Sequence, residues 1–225
     1  MVDALPTRIL SIGSSCINRF QFEHFMTRHP ATAPSFVRGL FDWNIASLDA
    51  TLNIMRLATE GALEEILADP DRYYVGWDAL ILNTGLPGFS FFHETDPAIT
   101  LKHAARRSAF LGKVAHLSAP FTFAVSAAHT HLVWSNVQPN LPDTVENVFP
   151  WEAFRLTRER YTLARKLGRQ IFGQQTTFSF ITTREDVEMA VTEHADVHVL
   201  DIRRDETYEG PPLLYEEMLN GILRP

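Results

Sequence analysis

Hydrophobic positions in this chain fall into short unbroken runs separated by longer stretches with a helical period. The first run, residues 8–12 (RILSI), has the length of a buried strand and stops at Gly13, and residues 16–28 then space their apolar side chains as a helix does. The chain therefore opens strand, turn, helix. Residues 29–44 contain Pro30, Pro34 and Gly39 and read as a loop ending in Phe41-Asp42-Trp43-Asn44. Leu48, Leu52 and Met55 recur at helical spacing behind a Ser47 or Asp49 cap until Gly61 ends the helix, and a short helix is predicted over 62–67.

Residues 78–83 (DALILN) and 88–93 (GFSFFH) are strand-like runs around Thr84-Gly85-Leu86-Pro87, which fits a hairpin or two extended segments with a tight joint. A helix is expected over 99–117, a buried strand over 120–126 and a short strand over 131–134. Pro139, Pro142 and Pro150 then mark a long loop, and the longest predicted helix covers 151–172. A strand over 177–182, a helix over 185–194 capped by Thr183, a strand over 197–202 and a terminal helix from Leu213 complete the order. Such alternation predicts one α/β domain over residues 1–225, a three-layer arrangement with a mainly parallel sheet flanked by helices.

Composition narrows the function classes. With 45% hydrophobic and 21% charged residues, the chain has enough apolar surface to offset its conformational entropy, which excludes intrinsic disorder. The formal charge of −7 is spread evenly over both halves, so neither is a basic arm and a nucleic-acid partner is not expected. Residues 1–13 lack the cationic start and long apolar stretch of a signal peptide, and no apolar run reaches membrane-spanning length. The expectation is a cytoplasmic protein with no membrane partner, acting on a small-molecule or peptide substrate. The single cysteine, Cys16, rules out an intrachain disulfide and a cysteine zinc cluster.

That cysteine occupies an informative place. In open parallel sheets the working residues gather where strands end and helices begin, and Gly13-Ser14-Ser15-Cys16 is such a turn. A cysteine in the first turn of a helix feels the partial positive charge of unpaired N–H groups, which favours the thiolate. The same N–H groups can hold an oxyanion, with Ser14, Ser15 and Asn18 as added donors. The plain alternative is a small buried hydrophobe, and position alone weighs the two equally. One glycine followed by two serines is a poor phosphate cradle: dinucleotide and Walker loops need more glycines, so no cofactor is expected.

Ile9-Leu10-Ser11-Ile12-Gly13-Ser14-Ser15-Cys16, then Gly39-Leu40-Phe41-Asp42-Trp43-Asn44-Ile45, then an aromatic run ending in His93, together resemble an uncharacterised bacterial family described as papain-like cysteine peptidases. Lys102-His103-Ala104-Ala105-Arg106-Arg107 is similar to the basic helix that follows the histidine in that family. The resemblance covers roughly the first 130 residues, and it implies Cys16 as nucleophile, His93 as base, Asp42 as orienting acid and Trp43 beside the substrate. Here His93 is followed by Glu94-Thr95, where the family has Asp-Phe.

Other histidines and acids compete for these roles. His93 ends a strand and could simply face water; His103 lies on its helix's apolar stripe, as a half-buried reserve base. His129 and His131 share a strand face at metal-like spacing without a third ligand, so no metal site is predicted. Asp42 could instead cap the turn before Ser47, leaving Asp96 as the acid. On the 151–172 helix, Arg155, Arg158, Arg165, Lys166 and Arg169 fall on one side, which reads as a solvated face or an anion site. Arg160 points into the apolar arc and should be at least half-buried and paired with a carboxylate.

The expected chemistry is acyl transfer by Cys16 and His93, with a peptide, amide or thioester as substrate. Two rivals keep the fold. Gly13-Ser14 is also where SGNH-type esterases place serine, and Asn83-Thr84-Gly85 resembles their later Asn block, but their terminal Asp-x-x-His has no counterpart here. The other rival is a transferase or binding protein for an acyl carrier or saccharide in surface-polysaccharide assembly, with the arginine stripe as its anion site.

Overall fold

A run with apolar residues on both faces suits a strand covered on both sides, and β1 (Arg8–Ser11) is buried along its whole length. The computed structural model describes residues 8–77, 80–122, 129–138, 140–145, 148–201, 210–211 and 213–223. The chain turns into α1 (Ile17–Arg28) and returns through a 3-10 segment, Pro30–Ser35, to β2 (Phe36–Val37), parallel to β1. This strand lies inside the predicted loop; two residues are too few to show alternation. The next pair, β3 (Ile45–Ala46), leads directly into α2 (Leu48–Thr59). Ser47 is the cap: its Oγ accepts from the Ala50 N–H at 3.0 Å.

After α3 (Leu63–Ala68) comes β4 (Tyr73–Gly76), which the sequence pattern did not announce. It pairs antiparallel with β5 (Leu80–Asn83), and β5 pairs antiparallel with β6 (Phe89–Phe91), so the two aromatic and aliphatic runs form a hairpin. These strands make a small sheet in the order β3-β6-β5-β4. The predicted 99–117 helix is two helices, α4 (Pro97–Lys102) and α5 (Ala104–Thr122), broken where His103 turns extended. Residues 120–122 belong to α5 rather than to the expected strand, and 123–126 lie outside the described residues. Phe110, Val114, Ser118 and Phe121 keep a helical spacing on one buried face, and Phe121 packs edge-on against Phe41 and Phe172, each at 5.5 Å.

The second half builds the main sheet. Strand β7 (Thr130–Ser135) is followed by α6 (Leu141–Val145) within the expected loop, a 3-10 turn at Trp151–Phe154, and α7 (Arg158–Phe172). The predicted 151–172 helix thus starts late. Leu156 is drawn into a bridge, donating to Asp186 O at 2.8 Å and accepting from Glu188 N at 3.0 Å, and Thr157 caps α7 immediately after it. The same bridge explains the missing 185–194 helix. With the backbone at 186 and 188 committed to Leu156, only a 3-10 turn at Met189–Val191 forms between β8 (Thr177–Thr182) and β9 (Val197–Val199). The described chain ends with α8 (Glu216–Leu223).

All five strands of the main sheet are parallel, in the order β2-β1-β7-β8-β9. Alternate side chains feed two cores. Leu10, Leu132, Trp134 and Phe180 pack with α2, α5 and α7, while Ile9, Val133 and Ile181 pack with Phe22 and Phe25 of α1 and Leu219 of α8. The architecture is the expected α/β one, a parallel sheet between helical layers, with a small antiparallel sheet added. Among the described residues no helix is long and apolar enough to cross a membrane.

Candidate functional site

In this strand order the winding reverses between β1 and β7, the first and third strands to enter the main sheet, and at such a reversal the loops at the carboxyl ends part to leave a crevice. From β1 emerges Ile12-Gly13-Ser14-Ser15-Cys16; from β7, Asn136-Val137-Gln138. The two exits stay tied: Ile12 N donates to Val133 O at 2.9 Å and Ser14 N to Ser135 O at 2.8 Å. Ser14 O then accepts from Ala46 N at 2.8 Å, which joins the small sheet to the large one. Gly13 is required here. Its φ is +146°, and a Cβ would stand 2.8 Å from Trp134 Cδ1.

Beneath the turn, Asn18 is fully buried and every polar atom of its amide is engaged. Its Nδ2 donates to Gly13 O (2.7 Å), Ser11 Oγ (2.9 Å) and Val133 O (3.1 Å). Its Oδ1 accepts from Ser135 Oγ (2.6 Å) and Tyr215 OH (3.0 Å). Asn18 is therefore a structural knot joining β1, β7 and the chain before α8. It has no spare donor for an oxyanion.

Above the knot lies a cavity of about 220 Å³, lined by Ser15, Cys16, Phe20, Trp43, Asn44, Ile45, and by Phe92, His93, Gln138 and Asn140. Cys16 sits at the N-cap of α1, and its Sγ donates to Gln138 Oε1 at 3.4 Å, while Gln138 Nε2 donates to Asn140 Oδ1 at 2.7 Å. Ser15 is fully buried, and its hydroxyl has no hydrogen-bond partner. His93, just beyond β6, is held by rings: it meets Trp43 edge-on at 5.6 Å and Phe92 at 5.1 Å, and Trp43 meets Phe20 at 5.2 Å. Partial burial, reinforced by the nearby Lys113 ammonium, holds the imidazole below its ordinary pKa. The ring is thus neutral near pH 7 and able to accept a proton.

The residues expected from sequence divide sharply. Cys16, His93, Ser15 and Trp43 converge on the cavity; Ser14 and Asn18 lie in the wall behind it. Asp42 does not orient His93. Fully buried, it turns back on its own loop, where Oδ2 accepts from Gly39 N at 2.9 Å and Oδ1 has no partner. Burial pushes its pKa up to about 6, against the lowering effects of the Gly39 bond and of Arg19 and Arg38. His103 is exposed at the α4–α5 break rather than half-buried, and Asp96 is exposed at the start of α4. His131 is buried between Thr177 and Ser179 and is pushed down to about 3, chiefly by burial.

Of the arginine stripe, Arg165, Lys166 and Arg169 line one pocket of about 570 Å³ together with Tyr161 and His194, and Arg155 and Arg158 lie outside it. Arg155 lies outside α7 in extended backbone and pairs with Glu152 at 3.1 Å. Arg165 pairs with Asp196 at 2.6 Å and stacks over Tyr161, while Arg169 lies over the Phe178 ring and the Arg158 backbone N–H donates to Glu188. Arg160 forms the expected carboxylate pair, with both Asp49 oxygens at 2.8 Å and a side chain 18% exposed. Asn83 bonds Gly85 N at 2.8 Å in its own turn and does not line the Cys16 cavity.

Gln138 and Asn140 carry no motif that singles them out in the sequence. Their one local signal is a position just after a strand; that this strand pairs with β1 is a tertiary fact. Among the described residues no group of three or more His, Cys, Asp or Glu is placed to hold a metal ion. No family model, curated protein or solved structure matches this chain.

Proposed function

We propose that the protein is a cysteine-dependent acyl-transfer enzyme that hydrolyses an amide, ester or thioester. The observation that carries this reading is convergence: Cys16 from the main sheet and His93 from the hairpin line one cavity at the point where the strand order reverses. In the resting site the thiol donates a hydrogen bond to Gln138 Oε1 and keeps its proton. When substrate enters, His93 takes that proton, Cys16 Sγ attacks the carbonyl carbon, and the developing oxyanion meets the Ser15 hydroxyl and the free N–H groups opening α1. Gln138, itself held by Asn140, positions the sulfur, and the His93 ring is set in place by Trp43 and Phe92 rather than by an acid. The resemblance to papain-like cysteine peptidases, resting on the Ser14-Ser15-Cys16, Phe41-Asp42-Trp43 and His93 motifs, supports the pairing of a cysteine with a histidine and not a peptide substrate.

Iodoacetamide labelling at neutral pH with mass mapping tests the first link. Folded protein should be alkylated at Cys16, more slowly in His93→Ala, and the rate should fall on acidification through an imidazole titration below about 6.5. An inert Cys16 in folded protein would sink the proposal. A serine reading has one observation in its favour, the unpartnered Ser15 hydroxyl in the same cavity. Full ester hydrolysis by Cys16→Ala, abolished by Ser15→Ala, would establish it instead.

A further inference from the structure

We infer that the acyl group taken by the Cys16 site is compact and carries no negative charge, of acetyl to benzoyl size, and is neither an acidic acyl group nor a length of peptide. This rests on the cysteine-nucleophile reading above and adds a substrate class to it. Size is the first argument. The cavity of about 220 Å³ equals about seven water volumes and falls below the ~300–1,000 Å³ of sites for drug-sized ligands. A short aliphatic or single-ring acyl group fits; a long chain or several peptide residues would have to lie outside it.

Charge is the second argument. None of the described lining residues is Asp, Glu, Lys or Arg, and the ionisable groups present are the Cys16 thiol and the neutral His93 ring. Lys113, whose charge acts on His93, is already paired with Glu94. A carboxylate on the acyl group would therefore lose water without gaining a cation, a cost the aromatic wall of Phe20, Trp43 and Phe92 does not repay.

The polar contacts point the same way. Asn44 Nδ2 is committed to Leu40 O at 2.6 Å and Gln138 Nε2 to Asn140, whereas the Ser15 hydroxyl is unpartnered. The donors here are neutral, which suits a carbonyl oxygen and gives a carboxylate no counter-charge. In the covalent step the Cys16 S–H proton passes to His93, the S–C bond forms and the carbonyl pair moves to oxygen. Collapse restores the C=O, breaks the bond to the leaving thiolate or alkoxide, and returns the proton from His93 to it. Water then attacks the acyl-sulfur carbon with His93 taking and returning its proton, releasing the acid and the thiol.

Intact-mass spectrometry of the full chain with phenyl thioesters of acetate, benzoate, succinate and decanoate tests this, each rate being divided by that of the same thioester with free N-acetylcysteine. Acetyl and benzoyl adducts at Cys16 should form at least tenfold faster, so normalised, than succinyl or decanoyl adducts. Phe92→Arg, at a ring 39% exposed on the rim, should raise the succinyl rate relative to acetyl about tenfold. Equal normalised rates for all four, or a faster succinyl or decanoyl adduct, would overturn the size and charge assignment while leaving the nucleophile intact. No adduct and no thiophenol release above the Cys16→Ala background from any thioester overturns the cysteine reading itself, and this inference with it.

Discussion

Two buried polar groups separated by only three positions in the chain behave in opposite ways. Asn18 spends every polar atom on partners from three parts of the fold, while the hydroxyl of Ser15, equally buried, has none. Both are inaccessible to bulk water, so burial alone does not separate them. The difference is what lies alongside: Asn18 is enclosed by strands and Tyr215, whereas Ser15 borders the Cys16 cavity. The satisfied Asn18 amide holds the turn together, and among the unpartnered buried side-chain atoms of the described residues the Ser15 hydroxyl is the one whose residue lines the Cys16 cavity.

The contrast can be broken most forcefully at the knot. Asn18→Ala strands the Ser135 and Tyr215 hydroxyls and loses the bonds to Gly13 and Val133, and should cost about 3–5 kcal/mol in urea unfolding. Gly13→Ala is next. With a Cβ 2.8 Å from Trp134 and a positive φ, it should cost about 2–4 kcal/mol by the same measurement.

Asp42 offers a gain. Its carboxyl holds a proton more tightly folded than unfolded, so ionisation above pH 6 weighs against the fold, and wild type should gain stability as pH falls from about 6 to 4. Asp42→Asn keeps an acceptor for Gly39 N and should stabilise by up to about 3 kcal/mol at pH 7, with no advantage below about pH 4. A pH series of thermal melts in which the two proteins run parallel would remove Asp42 from the account. Ser15→Ala is the smallest change in stability: removing an unpaired buried hydroxyl should stabilise by about 1 kcal/mol or less while slowing acylation of Cys16. A loss as large as that of Asn18→Ala would mean that Ser15 is structural after all.

Much of the fold was legible wherever an element's own residues decide it. The runs at β1, β7 and β8 and the helical spacing of α1 and α2 were visible as pattern. Failures came where a distant partner decided. The backbone of 186–188 pairs with Leu156, which both delays α7 and prevents the helix expected after β8. Strands β2 and β3 have two residues each and exist only because β1 and β6 lie beside them.

The site divides along the same line. Cys16 and Ser15 could be picked out because a strand-to-helix turn is a local signal, whereas His93 and Trp43 were singled out by the family resemblance. Gln138 could not, because its bond to Cys16 spans 122 positions. Asp42 looked like the acid of a triad, yet its loop closes on Gly39 and points the carboxylate away from the histidine's role.

Residue types and their spacing were enough to place a thiol at a strand-to-helix turn in an α/β chain, since backbone preference and side-chain period act over a few residues. Which strands are neighbours, which buried polar groups are satisfied, and which side chains share a cavity with the thiol were decided only by the folded molecule. Hydrogen bonding and close packing are properties of atoms brought together from remote parts of the chain, and no local pattern encodes them.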